Sequence, residues 1–272
     1  MIKMKKVQLY FNCIFIVVVG DVFLVFFTGF AIKYKDLQEK KTEIIILNNL
    51  DTALTNLQGS SFTTSTNIEL PVNINVNCDS NGYNILINEK NHINHLLASK
   101  NNLKKNLLVW YQPYEIPFKI TNFYYMVDDS NINIATNNAD LINSIKEEMP
   151  EEFKLKINVY PGNNLVVNGD KNMGTVLVEG KSIPYLKKEM LYAAVFSSNY
   201  SCFYDDTKKR IGDVVSIYEN KARILNRGGC NYNLILSKLN LLRDFDHVNY
   251  QVIQDIETLN RNLISMNCPG LF

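Results

Sequence analysis

The sequence predicts an α+β protein in which a long N-terminal helix precedes a strand-rich region and then a helical region. Three patterns predict this order: an apolar run from Val7 to Ile32, alternating apolar residues from Ile68 to Val76, and helical apolar spacing from Val248 to Met266. We expect four segments, which are a transmembrane anchor over 1–35, an amphipathic stalk over 36–59, a mixed α/β domain rich in strands over 60–182 and a helical portion over 183–272.

The apolar run is long enough to cross a membrane. A helix of about 20 apolar residues spans the roughly 30 Å hydrocarbon core of a bilayer, and Phe11 to Ile32 reaches that length. A secretory signal cut after Ala31 is the competing interpretation, because the segment before the run is basic. The run exceeds the about 7 to 15 residues typical of a signal core. We therefore expect an uncleaved single-pass anchor in the cell membrane, with the lipid bilayer as a partner.

The basic residues do not determine the orientation of the anchor in the membrane. Lysines stand on both sides of the run: Lys3, Lys5, Lys6, Lys33, Lys35, Lys40 and Lys41. The cysteines beyond the run favour the exterior, because an even number is typical of disulfide-bonded domains outside the cytoplasm. These are Cys78, Cys202, Cys230 and Cys268. Four buried free thiols in a cytoplasmic domain are the alternative.

Four cysteines allow three pairings. We expect Cys202 to pair with Cys230, because one helix separates them, which leaves Cys78 for Cys268. An Asn-Tyr-Ser sequon makes Asn199 a candidate for glycosylation, whereas a chance match in an asparagine-rich chain is the alternative.

Apolar residues continue at helical spacing beyond the membrane run. They are Leu37, Ile44, Leu47, Leu50, Leu54 and Leu57. No Gly or Pro interrupts Lys33 to Gln58, so we expect one helix that continues to Gln58 with Gly59 as its C-cap. This stripe packs either on the protein's own domain or on other membrane protein subunits. We expect the second, with Leu47, Leu50 and Leu54 as assembly contacts.

Asp21 lies near the middle of the apolar run. A carboxylate at that depth costs about 2.5 to 3.5 kcal/mol on insertion scales, and ionisable residues in membrane helices usually face a partner or a wet cavity. One helix cannot bury its own carboxylate. We therefore expect Asp21 to contact a basic or polar group on the membrane helix of another subunit, with a neutral carboxyl tolerated in lipid as the alternative.

The middle and last regions carry strand and helix patterns. We expect a hairpin that turns at Asp79 to Gly82, further strands from Leu107 to Tyr111 and from Phe118 to Met126, and a strand–helix–strand unit over 131–160. The densest aromatic segment, Trp110 to Phe118, is expected to fill the domain core rather than to form an exposed recognition strip. A further hairpin and four helices are expected over 165–178, 185–197, 214–225, 234–245 and 248–266.

The chain carries no signature of catalysis or of nucleic-acid binding. It has 28 basic and 27 acidic residues, and this net charge of +1 gives no field that attracts nucleic acid. It lacks the Walker loop, the dinucleotide glycine motif, the nucleophile elbow and the zinc-protease motif. His92, His95 and His247 are too scattered for a zinc site. We expect no catalytic residue, no cofactor and no metal.

The WYQPYEIPF string at Trp110 to Phe118 and the CPGLF string at Cys268 to Phe272 resemble strings of uncharacterised single-pass membrane-anchored surface proteins of archaea. The order of span, amphipathic helix, β-rich middle and cysteine-bearing helical end is similar to theirs. The long N-terminal helix also resembles type IV pilins in architecture. A pilin leader is cut just before the apolar helix, usually at a glycine, and no such arrangement precedes Val7. The resemblance covers the general plan and implies no functional residue.

Three classes of function follow. We expect a structural or interaction protein, an anchored exterior domain that belongs to a cell-surface or secretion-type assembly. An anchored module that binds a ligand or another surface is one alternative, and an anchored hydrolase without a recognisable motif is another. A flat apolar surface favours the first class, and ionisable groups in a deep pocket favour the hydrolase.

Overall fold

The computed structural model describes residues 2–58, 65–79, 82–87, 90–92, 94–226 and 230–272, with the side chains of 2–14 and 90–92 left out of the description. The chain divides into two compact units, Met1–Asn49 and Leu50–Phe272. The described residues confirm the α+β order: a long apolar N-terminal helix, then strands in several sheets, then helices. The four segment boundaries expected from the sequence stay a prediction.

The helices and strands follow this α+β order along the chain. The helices are α1 Ile2–Gln58, α2 Ala139–Lys146, α3 Glu151–Lys154, α4 Lys188–Phe196, α5 Tyr200–Leu225, α6 Asn233–Arg243 and α7 Tyr250–Ser265. The strands are β1 Ser65–Glu69, β2 Ile74–Asp79, β3 Gly82–Leu86, β4 Lys90–His92, β5 Leu96–Ser99, β6 Asn102–Leu103, β7 Asn106–Glu115, β8 Lys119–Val127, β9 Ile132–Thr136, β10 Ile157–Pro161, β11 Val166–Gly169, β12 Met173–Val178 and β13 Lys181–Leu186.

The first helix runs without a break from Ile2 to Gln58, which confirms the expected continuation. Its Phe15–Gln58 part contains a stretch long and apolar enough to cross a membrane, judged by length and composition, and a signal sequence passes the same test. Gly59, the expected C-cap, lies outside the described residues.

Two four-stranded sheets contain eight of the strands described above. The central sheet has the order β1-β7-β8-β5, in which only the pairing of β5 with β8 is parallel. The second sheet is antiparallel with the order β4-β3-β2-β6. The expected strands around β7 and β8 and the hairpin of β2 with β3 are confirmed, and the hairpin residues Ser80 and Asn81 lie outside the description.

The alternating pattern from Ile68 to Val76 is typical of one continuous strand. In the structure this run is divided between two strands, β1 and β2. Its first part pairs with β7 in the central sheet, and its second part pairs with β3 in the other sheet. Pro71 stands between the two parts and has no N–H group to donate to a ladder. Alternation therefore predicted the buried face of each part but not the break between them.

The smaller sheets complete the strand-rich region. The parallel pair β9 and β10, with α2 between them, confirms the expected strand–helix–strand unit. The antiparallel order β11-β12-β13 includes the expected hairpin-like pair and adds a third strand that extends to Leu186. The helix expected from Tyr185 therefore begins later, at Lys188, because Pro184 and Tyr185 pair with β12.

The last helices match the expected apolar periodicity, although α5 is longer than its pattern indicated. It begins at Tyr200 because the side-chain oxygen of Asn199 accepts a hydrogen bond from the backbone N–H of Cys202 at 3.1 Å.

An aromatic cluster fills the core between the central sheet and the helices. The Trp110 ring lies 4.7 Å from the Tyr125 ring, 5.0 Å from Tyr192 on α4 and 5.6 Å from Phe153 on α3, measured between centroids. Trp110 and Tyr114 are fully buried. This confirms that the segment from Trp110 to Phe118 supplies core rings rather than an exposed strip.

Candidate functional sites on the apolar helix and in an acidic cleft

The first unit presents a continuous apolar surface. Each side chain from Phe15 to Ile32 is exposed, apart from Val19, which is partly exposed. Folded soluble proteins seldom leave contiguous apolar patches larger than about a few hundred Å² in water, and such patches mark contact with a membrane or another protein. This stretch of α1 is therefore the candidate membrane-contact site.

Asp21 interrupts this apolar surface. Its side chain is exposed, and no ion pair involves it among the residues that the structure describes. The Thr28 hydroxyl, seven residues further along the helix, donates a hydrogen bond to the backbone carbonyl oxygen of Leu24 at 2.7 Å. This hydroxyl therefore has its partner within the helix. Asp21 is the group on this surface whose chemistry calls for a further partner.

The expected assembly leucines fall into two groups. Leu50 and Leu54 are each 1 % exposed and belong to the core of the second unit. A side chain buried to this extent offers almost no surface to another chain. The burial favours the intramolecular alternative for Leu50 and Leu54, whereas Leu47 is partly exposed and its contact with another subunit stays a prediction.

The four cysteines form two pairs with their sulfur atoms at disulfide distance. Cys78 pairs with Cys202 across a Cα–Cα distance of 6.0 Å, and Cys230 pairs with Cys268 across 5.8 Å. The expected pairing of Cys202 with Cys230 is wrong. Cys202 lies in the first turn of α5, whereas Cys230 lies five residues beyond its last residue, Leu225. Each has its sulfur atom at disulfide distance from a different cysteine.

The Cys78–Cys202 pair borders a cleft of about 740 Å³. Five charged residues line it: Asp79, Glu179, Asp205, Asp206 and Lys209. The backbone and side chains of asparagine and serine residues supply most of the neutral polar groups: Asn101, Ser198, Asn199 and Ser201. Four carboxylates against one ammonium group give the cleft a negative potential, which attracts cations.

Three separate segments position these charges. Asp79 ends β2, and Asp205, Asp206 and Lys209 lie in the first turns of α5, next to the disulfide-distance pair. Glu179 belongs to the two-residue turn between β12 and β13, where it and Gly180 both have positive φ angles of 50° and 78°. Consecutive positive φ angles are typical of a tight type I′ hairpin turn. The turn projects Glu179 into the lining of the cleft.

One carboxylate of the cleft is partly balanced by an arginine. A guanidinium nitrogen of Arg210 lies 3.7 Å from a carboxylate oxygen of Asp206 and donates to the side-chain oxygen of Asn94 at 3.1 Å. Behind them, burial raises the pKa of the Tyr83 phenol well above its usual value, Asp206 raises it further, and Arg210 lowers it. The buried Tyr83 phenol is therefore neutral at physiological pH.

Sequence reasoning did not find this cleft. Its carboxylates come from β2, from the turn after β12 and from α5, so no local spacing joins them. The adjacent pair Asp205 and Asp206, nearly two helical turns after the Asn199 cap, was the available signal. Asn199 itself is exposed at the rim, where its side chain caps α5.

Comparison of the chain with protein-family models, with curated proteins and with solved structures finds no match. The resemblance to archaeal membrane-anchored proteins and to type IV pilins therefore stays a prediction.

Metal coordination receives no support from the described part of the chain. No group of three or more His, Cys, Asp or Glu side chains has an arrangement that holds a metal ion among those residues. The His95 ring contacts the Asp51 carboxylate at 2.9 Å, and His247 contacts Asp244 at 3.0 Å. The two histidines thus serve separate surface pairs.

Proposed function

We propose that this protein is a membrane-anchored structural or interaction protein whose second unit lies outside the cytoplasm, as a subunit of a cell-surface or secretion-type assembly. The observation that carries the proposal is the coexistence, in one chain, of an exposed apolar helix and two cysteine pairs at disulfide distance. Disulfides persist in oxidising environments, whereas cytoplasmic thiols are kept reduced. The apolar helix and the two cysteine pairs together favour a membrane anchor that carries an exterior domain.

The energy of insertion supports the anchor. Thirteen Leu, Ile, Val or Phe residues lie between Phe15 and Ile32. At about 0.3 to 0.6 kcal/mol each near the helix centre, they contribute roughly 4 to 8 kcal/mol toward insertion. Asp21 costs about 2.5 to 3.5 kcal/mol. The apolar contribution is the larger, so the helix is expected to remain in the bilayer despite its carboxylate.

Labelling of intact cells with a membrane-impermeant amine reagent tests the location. Lys119 and Lys181 are exposed on the second unit and serve as reporters in peptide mass spectrometry. An exterior unit is labelled in intact cells. Labelling that appears only after permeabilisation would contradict the exterior location.

Purification in mild detergent followed by electron microscopy then tests the assembly, and a protein that elutes alone from native membranes argues against it.

A second candidate is an anchored binding module, and the acidic cleft is the observation that favours it. A cationic ligand, such as a polyamine or a basic peptide, fits its four carboxylates best. Calorimetry with spermidine compares the native chain with a D205N/D206N variant. Binding that is lost in the variant supports this candidate, and heats equal to dilution for the native chain count against it.

A further inference from the structure

The residues of α1 between Val17 and Ala31 define two different faces. Val17, Asp21, Leu24, Thr28 and Ala31 follow one another at spacings of four and three residues, so they lie along one side of the helix. We call these five residues the polar seam. Large aromatic side chains of the same stretch lie away from it at Phe23, Phe26 and Phe30.

The seam contains the one charge of the apolar run. Asp21 is the single charged residue between Val7 and Ile32. Toward the C-terminal end of the run, the first basic residue is Lys33, twelve positions and about 18 Å further along the axis. That separation exceeds the reach of an ion pair, so α1 cannot neutralise Asp21 from that side. In a bilayer the partner has to come from another helix.

The surface beside Asp21 permits close approach of such a helix. A Cβ atom added at Gly20 would meet nothing within 4 Å, so the backbone there is open. Small residues at this position allow helix axes to approach closely in membranes. Gly29 is equally open, but it lies about 12 Å along the axis from Asp21 and on the side of α1 opposite Gly20.

We infer that the polar seam packs against a membrane helix of a different chain that carries a lysine or arginine at the depth of Asp21. The inference rests on the proposed anchoring. Charge complementarity selects this partner over a parallel second copy, because a second copy would place one Asp21 carboxylate against another. A basic side chain instead satisfies the carboxylate without water.

The test uses the full chain in lipid vesicles and synthetic leucine-rich membrane peptides with Lys, Leu or Glu at the centre. Energy transfer between the labelled chain and each peptide reports association. The lysine peptide is expected to bind about tenfold more tightly than the leucine peptide. The glutamate peptide is expected to bind no more tightly than the leucine peptide, because it repels Asp21.

Two variants and one matched control locate the contact. D21L is expected to abolish the preference for the lysine peptide, and G20V is expected to weaken binding by placing bulk beside the seam. G29V adds the same bulk opposite Gly20 and about 12 Å along the axis from Asp21, so it is expected to leave binding unchanged. Both glycine positions are open, so neither change clashes within the chain itself.

Several outcomes would overturn the inference. Equal binding of the lysine and leucine peptides would do so, as would a lysine preference that survives D21L. Equal effects of G20V and G29V would also do so. The last such outcome is energy transfer between two copies of the chain that exceeds energy transfer to the lysine peptide. Flotation separates this failure from failure of the anchor. A chain that floats with vesicles but shows no lysine preference overturns the pairing alone, whereas a chain that does not float overturns the anchoring as well.

Discussion

The phenolic hydroxyl of Tyr124, on β8, donates a hydrogen bond to the backbone carbonyl oxygen of Leu54, on α1, at 3.1 Å. The side-chain amide of Gln58 donates to the same hydroxyl. Leu50, Leu54 and Leu57 are buried alongside. The last turns of α1 are therefore a structural part of the second unit and are joined to its central sheet.

Replacing Leu54 with alanine is expected to destabilise the second unit by about 2 to 5 kcal/mol, because it removes buried methyl groups and leaves a cavity. The matched control is L37A on the same helix, where the side chain is 66 % exposed and the expected change is within about 0.5 kcal/mol. Urea unfolding of the full chain in mild detergent measures both, with the fluorescence of Trp110 as reporter because it is the single tryptophan. Equal stabilities of the two variants would refute the placement of Leu54 in the core.

The stability of the second unit is expected to fall between pH 10 and pH 12. Burial raises the pKa of Tyr124 to about 12, and burial followed by Asp170 raises that of Tyr185 to about 12. Below pH 10 both tyrosines are protonated in the folded and unfolded chains, so their contribution is fully present. Between pH 10 and pH 12 only the unfolded chain releases these protons, which favours unfolding.

Unfolding midpoints measured across this range test the tyrosine effect. The variant Y124F is expected to show a shallower decline than the native chain, because one raised pKa has been removed. It is also expected to lose about 1 kcal/mol at neutral pH, where the hydrogen bond to Leu54 is missing. Parallel declines in the two proteins would show that Tyr124 does not contribute to the alkaline loss.

Thiol counting is expected to find one free cysteine, Cys13, in the unfolded and unreduced chain, and five after reduction. Peptide mapping is expected to link Cys78 to Cys202 and Cys230 to Cys268. On a loop-closure model, losing these links costs about 5 and about 4 kcal/mol, because they close sequence separations of 124 and 38 residues. Five free thiols before reduction would remove the main support for an exterior location.

Asn199 has two separable roles, and two substitutions distinguish them. N199S removes the glycosylation sequon but retains a good N-cap, so the stability of the unglycosylated chain is expected to change little. N199A removes both and is expected to cost about 1 kcal/mol. The peptide that contains Asn199 is expected to carry a glycan mass in protein from the native host, and this mass disappears in N199S. An unmodified native peptide would leave Asn199 with the cap alone.

The elements that depend on local pattern were predictable from the sequence. The apolar run and the absence of Gly and Pro after Lys33 predicted a helix that reaches Gln58, and the turn residues after Cys78 predicted the hairpin of β2 with β3. The periodicity from Val248 onward predicted α7. Each of these depends on neighbours within a few residues along the chain, which is the range over which periodicity and turn chemistry act.

The packing contacts and cysteine pairs that join residues far apart in the sequence were not predictable from local pattern. A stripe at helical spacing shows which face of α1 is apolar, but it does not show that Leu50 and Leu54 are buried in the second unit. The cysteine pairing depended on which distant segments meet in the fold, since Cys202 pairs with Cys78 of β2, 124 positions away, and the count of cysteines carries no such information.

The sequence by itself therefore determined the anchor-length helix, the succession of a strand-rich region and a helical region after it, and the even set of cysteines, because local composition and spacing dictate them. Only the tertiary structure decided which cysteines meet, where the strand pattern breaks at Pro71, and that four carboxylates from three distant segments line one cleft. These features depend on which surfaces bury one another when the chain folds. That choice is made by packing over the whole unit rather than by any single stretch of residues.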